Sequence, residues 1–388
     1  MKDCNYAHSI DSRRGFLRAA TGSLVAASWL KTSTVAQVAT GGGADVGERA
    51  SLVAAVRALG SQFLDNPLGI TGLNGATSVR LPSGDALWTF GDTVEGPFES
   101  IRKLELTRLR SNTGAIVPPQ DVPNGVKEFR FLAQANATRP RQLIPFASDE
   151  DPAKNRIWAI HGVCAGENIY LFYHRISLLE GVDVFENFRL DGMGIARAKV
   201  ADLDFTRLAA PDGTREFWKD NEPTFGVFVE RTADFIYVWG SLATGMYLAR
   251  TKPETIEDIA GYEYLVEAPT NDKPNAEVRW ARKFEPTAPL FDAVPNEMSA
   301  SYNLYLQKYV AIHSFHREGK IAMRTAPRIT GPWSEPTIVY RPEKRSDADL
   351  IYAAKEHPEL ARDGGRLLYV TYVDSATYVP QMIELTLK

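Results

Sequence analysis

Asp92, Glu222 and Glu297 are carboxylates that fall at comparable places in a recurring strand pattern, although more than 200 positions separate the first from the last. A glycosidic bond is hydrolysed by such a set: a protonated carboxylic acid assists the leaving oxygen while an ionised carboxylate attacks or activates water. Three carboxylates around one opening repel each other, and with partial burial their pKa values are driven apart. Trp88, Trp158, Phe225 and Tyr302 lie near them in the pattern and offer flat apolar faces for sugar rings. Asn74, His161 and His357 occupy equivalent positions, with Arg324 in a neighbouring strand, and complete a candidate substrate-binding set. Each has a plainer alternative: a turn residue capping a strand end for Asp92, acceptors of backbone amides for Glu222 and Glu297, and satisfied interior imidazoles for the histidines.

Distant residues converge only if some repeated element brings them together. The stretch NGATSVRLPSGDALWTFGDT (74–93) reads as a β-hairpin, with an alternating strand, a Pro82-Ser83-Gly84-Asp85 turn and an aromatic strand ending in Gly91-Asp92. The plan recurs four times, from His161-Gly162, Asn221-Glu222, Asn296-Glu297 and Glu356-His357. Counted from Trp88, the aromatic strands return at Tyr170, Tyr237, Tyr309 and Tyr369, at intervals of 82, 67, 72 and 60 residues. Such periods, with several strands per unit and no helices between, indicate propeller blades, whose sheets must stack around an axis to bury both faces. An all-β, five-bladed β-propeller is therefore expected. Its inner strands begin at Asn74, His161, Glu222, Glu297 and His357, and place those side chains around the axis.

A third element follows each aromatic strand. GIARAK (194–199), MYLARTK (246–252) and IAMRTAP (321–327) each carry an arginine, Arg197, Arg250 and Arg324, in a short apolar strand. Most of these are expected to satisfy backbone carbonyls between blades. Gly331-Pro332 then precedes a fourth strand, GPWSEPTIVY, giving the four strands of a blade. The segment from Val94 to Asn155 reads as the outer half of the first blade with inserted loops, a candidate cleft wall. His313 and His316 are three apart on a strand, which sends them to opposite faces and argues against a metal pair.

The composition, 44% hydrophobic and 24% charged, is that of an ordinary globular protein. The N-terminus stands apart: Arg13-Arg14, a short apolar segment and VAQVA resemble a twin-arginine export signal. Residues 1–39 are read as this signal, 40–60 as a helical lead-in built on ERASLVAAVRAL, and 61–388 as the propeller. The protein is expected to engage the twin-arginine export machinery and to reside in the periplasm or outside the cell. Without the signal the formal charge moves from −4 to −7, which does not favour nucleic acid as a partner. The 12-residue apolar run is too short to span a bilayer, which takes about 20 residues. Cys4 leaves with the signal, so Cys164 has no intrachain disulfide partner.

LWTFGDT, GMGIARAKVADLDF, NEPTFGVFVERTADFIYVWGS, YNLYLQKYVAIHS with RTAPRITGPWSEP, and YAAKEHPEL together resemble the bacterial domain of unknown function 4185, over about Ser61 to Leu387. That family includes the endo-D-arabinanases of glycoside hydrolase family 183. The resemblance implies a five-bladed propeller related to the furanosidase superfamily that cleaves polysaccharide by acid/base chemistry. Its GDT aspartate falls on Asp92. The family pattern also favours an aspartate in a G-x-D-G turn, where this sequence has Gly72-Leu73-Asn74-Gly75. Asparagine serves neither as a general base nor as a carboxylate nucleophile.

The leading expectation is an exported glycoside hydrolase that pairs Asp92 with Glu222 or Glu297 and acts on a polysaccharide or oligosaccharide. It needs no cofactor; a ring of axial polar groups would suit one structural cation such as calcium. Two alternatives stand beside it. One is a polysaccharide lyase using His161 or His357 as base, with Tyr302 or Arg324 neutralising a uronate. The other is a propeller that binds glycans without cleaving them.

Overall fold

In the computed structural model the described residues are 52–98, 108–134, 138–179, 188–292, 297–315, 318–346 and 349–388. The export signal and the start of the lead-in lie outside them, as does His316. The aromatic strands of the sequence repeat become the second strands of five antiparallel sheets, which make an all-β, five-bladed propeller. Aromatic and β-branched side chains fit a pleated surface that is covered on both sides, and Trp88, Phe172, Trp239, Ile312 and Val370 each lie fully buried in such a strand.

From the axis outward, the first blade holds Ile70–Leu73 with Thr77–Arg80, then Ala86–Glu95, Leu109–Val117 and Arg130–Phe131. The inner strands of the other four are Asn155–Ala165, Phe228–Arg231, Met298–Asn303 and Ile351–Glu356. Five apolar clusters fill the spaces between neighbouring blades, one at each interface. The core is thus a ring of inter-blade seams, as stacked sheets that cannot bury both faces alone require.

The lead-in corrects one expectation. Val53–Ser61 is a β-strand and not helix, paired antiparallel with Val379–Leu387 as the outermost strand of the last blade. The N-terminal end of the propeller thereby closes the ring onto its C-terminal end. Register shifts between Val53 and Ala55 and between Ala58 and Gly60 break the two-residue alternation, and half-buried positions recur at every third residue. That spacing imitates a helix in sequence.

The third-strand arginines are structural, but Arg197 and Arg250 pair with carboxylates and Arg324 binds a carbonyl of its own blade, not the backbone carbonyls expected between blades. Arg197 pairs with Glu257 at 2.9 Å. Arg250 binds Glu263 and lies between the rings of Phe235 and Trp280, 4.3 and 4.2 Å from their centroids. Arg324 donates to the Ser334 carbonyl and to His313 Nε2 over the face of Phe291. No helix among the described residues is long and apolar enough to cross a membrane.

Candidate functional site

The inner strand of the first blade is broken where the site begins. Ile70–Leu73 and Thr77–Arg80 both pair with Ala86–Glu95, and between them the Asn74 N–H donates to the Asp92 carbonyl (2.8 Å) while the Asn74 carbonyl accepts from Gly91 N–H (2.7 Å). Asn74 is therefore fixed to the Gly91-Asp92 backbone. Gly75 follows in the left-handed region at φ +71°, a conformation that disfavours any residue with a Cβ.

The absent Gly75 side chain makes room for a carboxylate from another blade. A Cβ at Gly75 would stand 2.7 Å from Glu297 Oε1. Glu297 immediately precedes Met298–Asn303, and its Oε1 accepts from the Lys355 ammonium at 2.9 Å. Lys355 also donates to Thr77 Oγ1 at 2.9 Å, so one buried cation ties the first, fourth and fifth blades together at the axis.

This contact heads a polar seam. Every second residue of one face, Glu297, Ser299, Ser301 and Asn303, reaches the fifth blade. Ser299 Oγ accepts from the Glu356 N–H (2.7 Å), Ser301 Oγ donates to Glu356 Oε2 (2.9 Å), and Asn303 Nδ2 donates to the Gly365 carbonyl (2.8 Å). The two-residue period of a strand puts all four on one side.

Asp92, whose backbone carbonyl binds Asn74, turns its side chain to the second blade. Its Oδ2 accepts from Trp158 Nε1 at 2.7 Å, and its Oδ1 lies 3.8 Å from Arg156 Nε, with both side chains buried. A Cβ at Gly91 would stand 3.5 Å from both the Asn74 amide nitrogen and the Trp158 ring. Two buried carboxylates, each with its own cation, are therefore tied to Asn74-Gly75, Glu297 by filling the space beside Gly75 and Asp92 through its backbone carbonyl.

Other axial groups are displaced from their ordinary charge states. Burial pushes the Glu356 carboxyl up to about 7, with Ser301 opposing and Glu359 adding to the rise. Burial, reinforced by Glu356, pushes Glu230 up to about 8. A carboxyl raised on folding binds its proton more tightly in the native state, so its stabilisation is present at low pH and is lost as pH rises from the unfolded value through the folded one. Glu356→Gln keeps an acceptor for Ser301 without the charge. It is expected to melt with the parent protein at pH 5 and several degrees higher at pH 8, and equal melting at both values in thermal scans would refute the shift.

A family model described as "Domain of unknown function (DUF4185)" matches residues 67–383. The chain belongs to the DUF4185 family. No curated protein matches the DUF4185 sequence described here. Among solved structures it is similar to a candidate hydrolase from Bacteroides ovatus ATCC 8483, at 16% identity over 85% of this chain and 90% of that one, with a TM-score of 0.62. It is also similar to CoXyl43, a family 43 β-xylosidase/α-arabinofuranosidase from a compost microbial metagenome, at 12% identity over 82% of this chain and 93% of that one (TM-score 0.47). A third is the GH43_1 enzyme of Xanthomonas citri complexed with xylotriose, at 12% identity over 83% and 90% (TM-score 0.48). At these identities the first shows a shared fold, and the other two resemble it more weakly.

Within the DUF4185 propeller the remaining candidates separate. Glu222 stands in the loop ahead of Phe228–Arg231, where its Oε2 accepts from the Lys219 N–H at 2.8 Å and closes a turn at the rim of the third blade. His161 lies within Asn155–Ala165 with its ring 4.4 Å from Phe228, and burial, then the Lys355 charge, push it down to about 3. His357 follows the inner strand of its blade and does not begin it. Its two ring nitrogens meet Ser78 and Thr371, both at 2.7 Å, and burial holds it well below its ordinary value. Both imidazoles are neutral packing groups.

The expected sugar platforms need correction. Trp88 is fully buried and stacks on His357 at 4.0 Å, and Phe225 is buried between the second and third blades. Trp158 turns its indole N–H to Asp92 and packs edge-on to Phe188. Tyr302 is exposed, but it sits five residues along Met298–Asn303 from Glu297, about 17 Å away at the rise of a strand. Arg324, buried and committed to Ser334 and His313, is not positioned to meet a substrate.

Sequence reasoning missed Lys355, Arg156, Glu356 and Glu230. The charged pair Lys355-Glu356 inside YAAKEHPEL was the available signal, because Lys and Glu in an otherwise apolar strand are almost never buried unless paired. Among the described residues no group of three His, Cys, Asp or Glu side chains is placed to hold a metal ion. A structural cation beside Glu297 does not fit either, since the Lys355 ammonium already occupies that position.

Proposed function

We propose that this DUF4185 propeller is a glycoside hydrolase that cleaves a polysaccharide at the axial opening beside Asn74, with Glu297 and Asp92 as its carboxylate pair. The observation that carries this reading is that both carboxylates are buried and paired with a cation, Glu297 beside Gly75 and Asp92 on the residue whose backbone carbonyl binds Asn74. Glu297 has its ammonium at 2.9 Å and Asp92 its guanidinium at 3.8 Å, and attraction between charges grows as they approach. The negative role, the base, therefore goes to Glu297 and the proton-donating role to Asp92. Asp92 gives its proton to the glycosidic oxygen as the C–O bond breaks. Water adds to the anomeric carbon and its proton passes to Glu297.

One observation favours a second reading, glycan binding without cleavage: Asn74 stands where the family pattern has an aspartate. A lyase gains no such support, because Tyr302 and Arg324 are not gathered with the histidines. The test is to incubate the purified mature protein with a panel of neutral and uronate-containing polysaccharides and to chromatograph the products. Hydrolysis yields shorter saccharides without ultraviolet-absorbing unsaturated ends. Retention of a glycan with no product would establish the binding reading, and an absorbing product the lyase. The paired arginines near the N-terminus support export to the periplasm or beyond.

A further inference from the structure

We infer that Lys355 is a positioning residue for Glu297: its ammonium, anchored on Thr77, holds the Glu297 carboxylate against Gly75 and supplies the charge that makes it the base. The inference rests on the hydrolase reading for its catalytic consequence, but the geometry is independent of it. Lys355 is buried, with 3% of its side chain exposed, and reaches two partners from two other blades, each at 2.9 Å. A long flexible lysine gives up much rotamer freedom to be held this way, which only strong contacts repay.

The surroundings leave the carboxylate few alternatives. Glu297 Oε1 fills the space a Cβ at Gly75 would take, and Ser299, two residues further on the same face, is bonded to the Glu356 backbone. After burial, the Lys355 charge also lowers His161 and His357. Those imidazoles stay neutral, whereas the Lys355 ammonium faces Glu297 at 2.9 Å. Without it, Glu297 would lose the ammonium that its Oε1 accepts from at 2.9 Å.

Two measurements test this. On a glycan that the parent protein cleaves, Lys355→Met is expected to lower kcat about a hundredfold with KM changed less than about threefold, since displacing a reacting group by an ångström costs that much. Propylammonium added to Lys355→Ala should restore at least a tenth of the lost kcat, on the order of what refilling the missing chain allows, whereas tetramethylammonium at equal ionic strength should not. The second readout needs no activity. Lys355→Met should melt well below the parent, and Lys355→Met combined with Glu297→Gln should melt above Lys355→Met alone, because the buried charge that lost its ammonium is gone. Parental kcat in Lys355→Met, or a double variant that melts at the sum of the two single losses, overturns the inference. Absence of cleavage in the parent protein defeats the hydrolase reading instead, and the melting cycle still decides whether Lys355 is the counter-charge of Glu297.

Discussion

Glu297→Gln is expected to abolish turnover, with kcat falling by at least about 10³-fold on polysaccharides and activated aryl glycosides alike. The change removes the proton acceptor, and general-base catalysis of this kind is worth about 10²–10⁴. Asp92→Asn should behave differently. It removes the proton for the leaving oxygen, which an aryl leaving group scarcely needs, so its loss should be about 10³-fold on the polysaccharide but within about tenfold on the aryl glycoside. Steady-state kinetics on the two substrate types separate the roles. The reverse pattern would exchange them, and equal residual activity of both variants on both substrates would remove the pair from the chemistry. The amide at position 74 contributes no base in this scheme, so Asn74→Asp would add a third negative group to two that already have cations.

Gly75→Ala is expected to cost both stability and turnover, because one added methyl strains the backbone and crowds the Glu297 carboxylate. An alanine at φ +71° costs about 1–2 kcal/mol in backbone conformation. Its Cβ would also stand 2.7 Å from Glu297 Oε1, and overpacking of this kind adds roughly 1–3 kcal/mol. Lys355 resists any retreat of that carboxylate, so the strain appears in the site itself. Gly166→Ala is the control: its φ is +61°, but nothing lies within 4 Å of the added Cβ. Gly166→Ala should therefore lose only the backbone share and keep its activity, whereas Gly75→Ala should lose more stability and nearly all turnover. Matching melting points for the two variants, with activity intact, would show that the carboxylate does not depend on the gap at Gly75.

The contrast between these glycines marks where sequence reading succeeds. Asn74, Gly75, Gly91 and Asp92 belong to one hairpin, so their proximity follows from strand pairing over fewer than 20 residues. Glu297 was a candidate because it opens an inner strand, yet its partner Lys355 lies 58 residues on, in the next blade. Tyr302 was placed on the correct strand but at the wrong end of the axis, since periodicity gives a residue's face and not its height relative to another blade. Trp88 and Phe225 are aromatic for packing. The same composition suits a sugar platform or an inter-blade seam, and only burial tells them apart.

Local pattern alone determined that this chain is a five-bladed all-β propeller, because the hairpin repeat, its turns and its buried aromatic strands are near-neighbour properties. Tertiary structure decided the rest: that Val53–Ser61 closes the ring against a strand more than 300 residues away, and that Glu222 stays at the rim. It also decided that Glu297 is held by Lys355 and that the histidines are neutral. The reason is physical. Charge state and pairing at an axis depend on burial and on groups contributed by other blades, and neither is encoded in the spacing of residues along one of them.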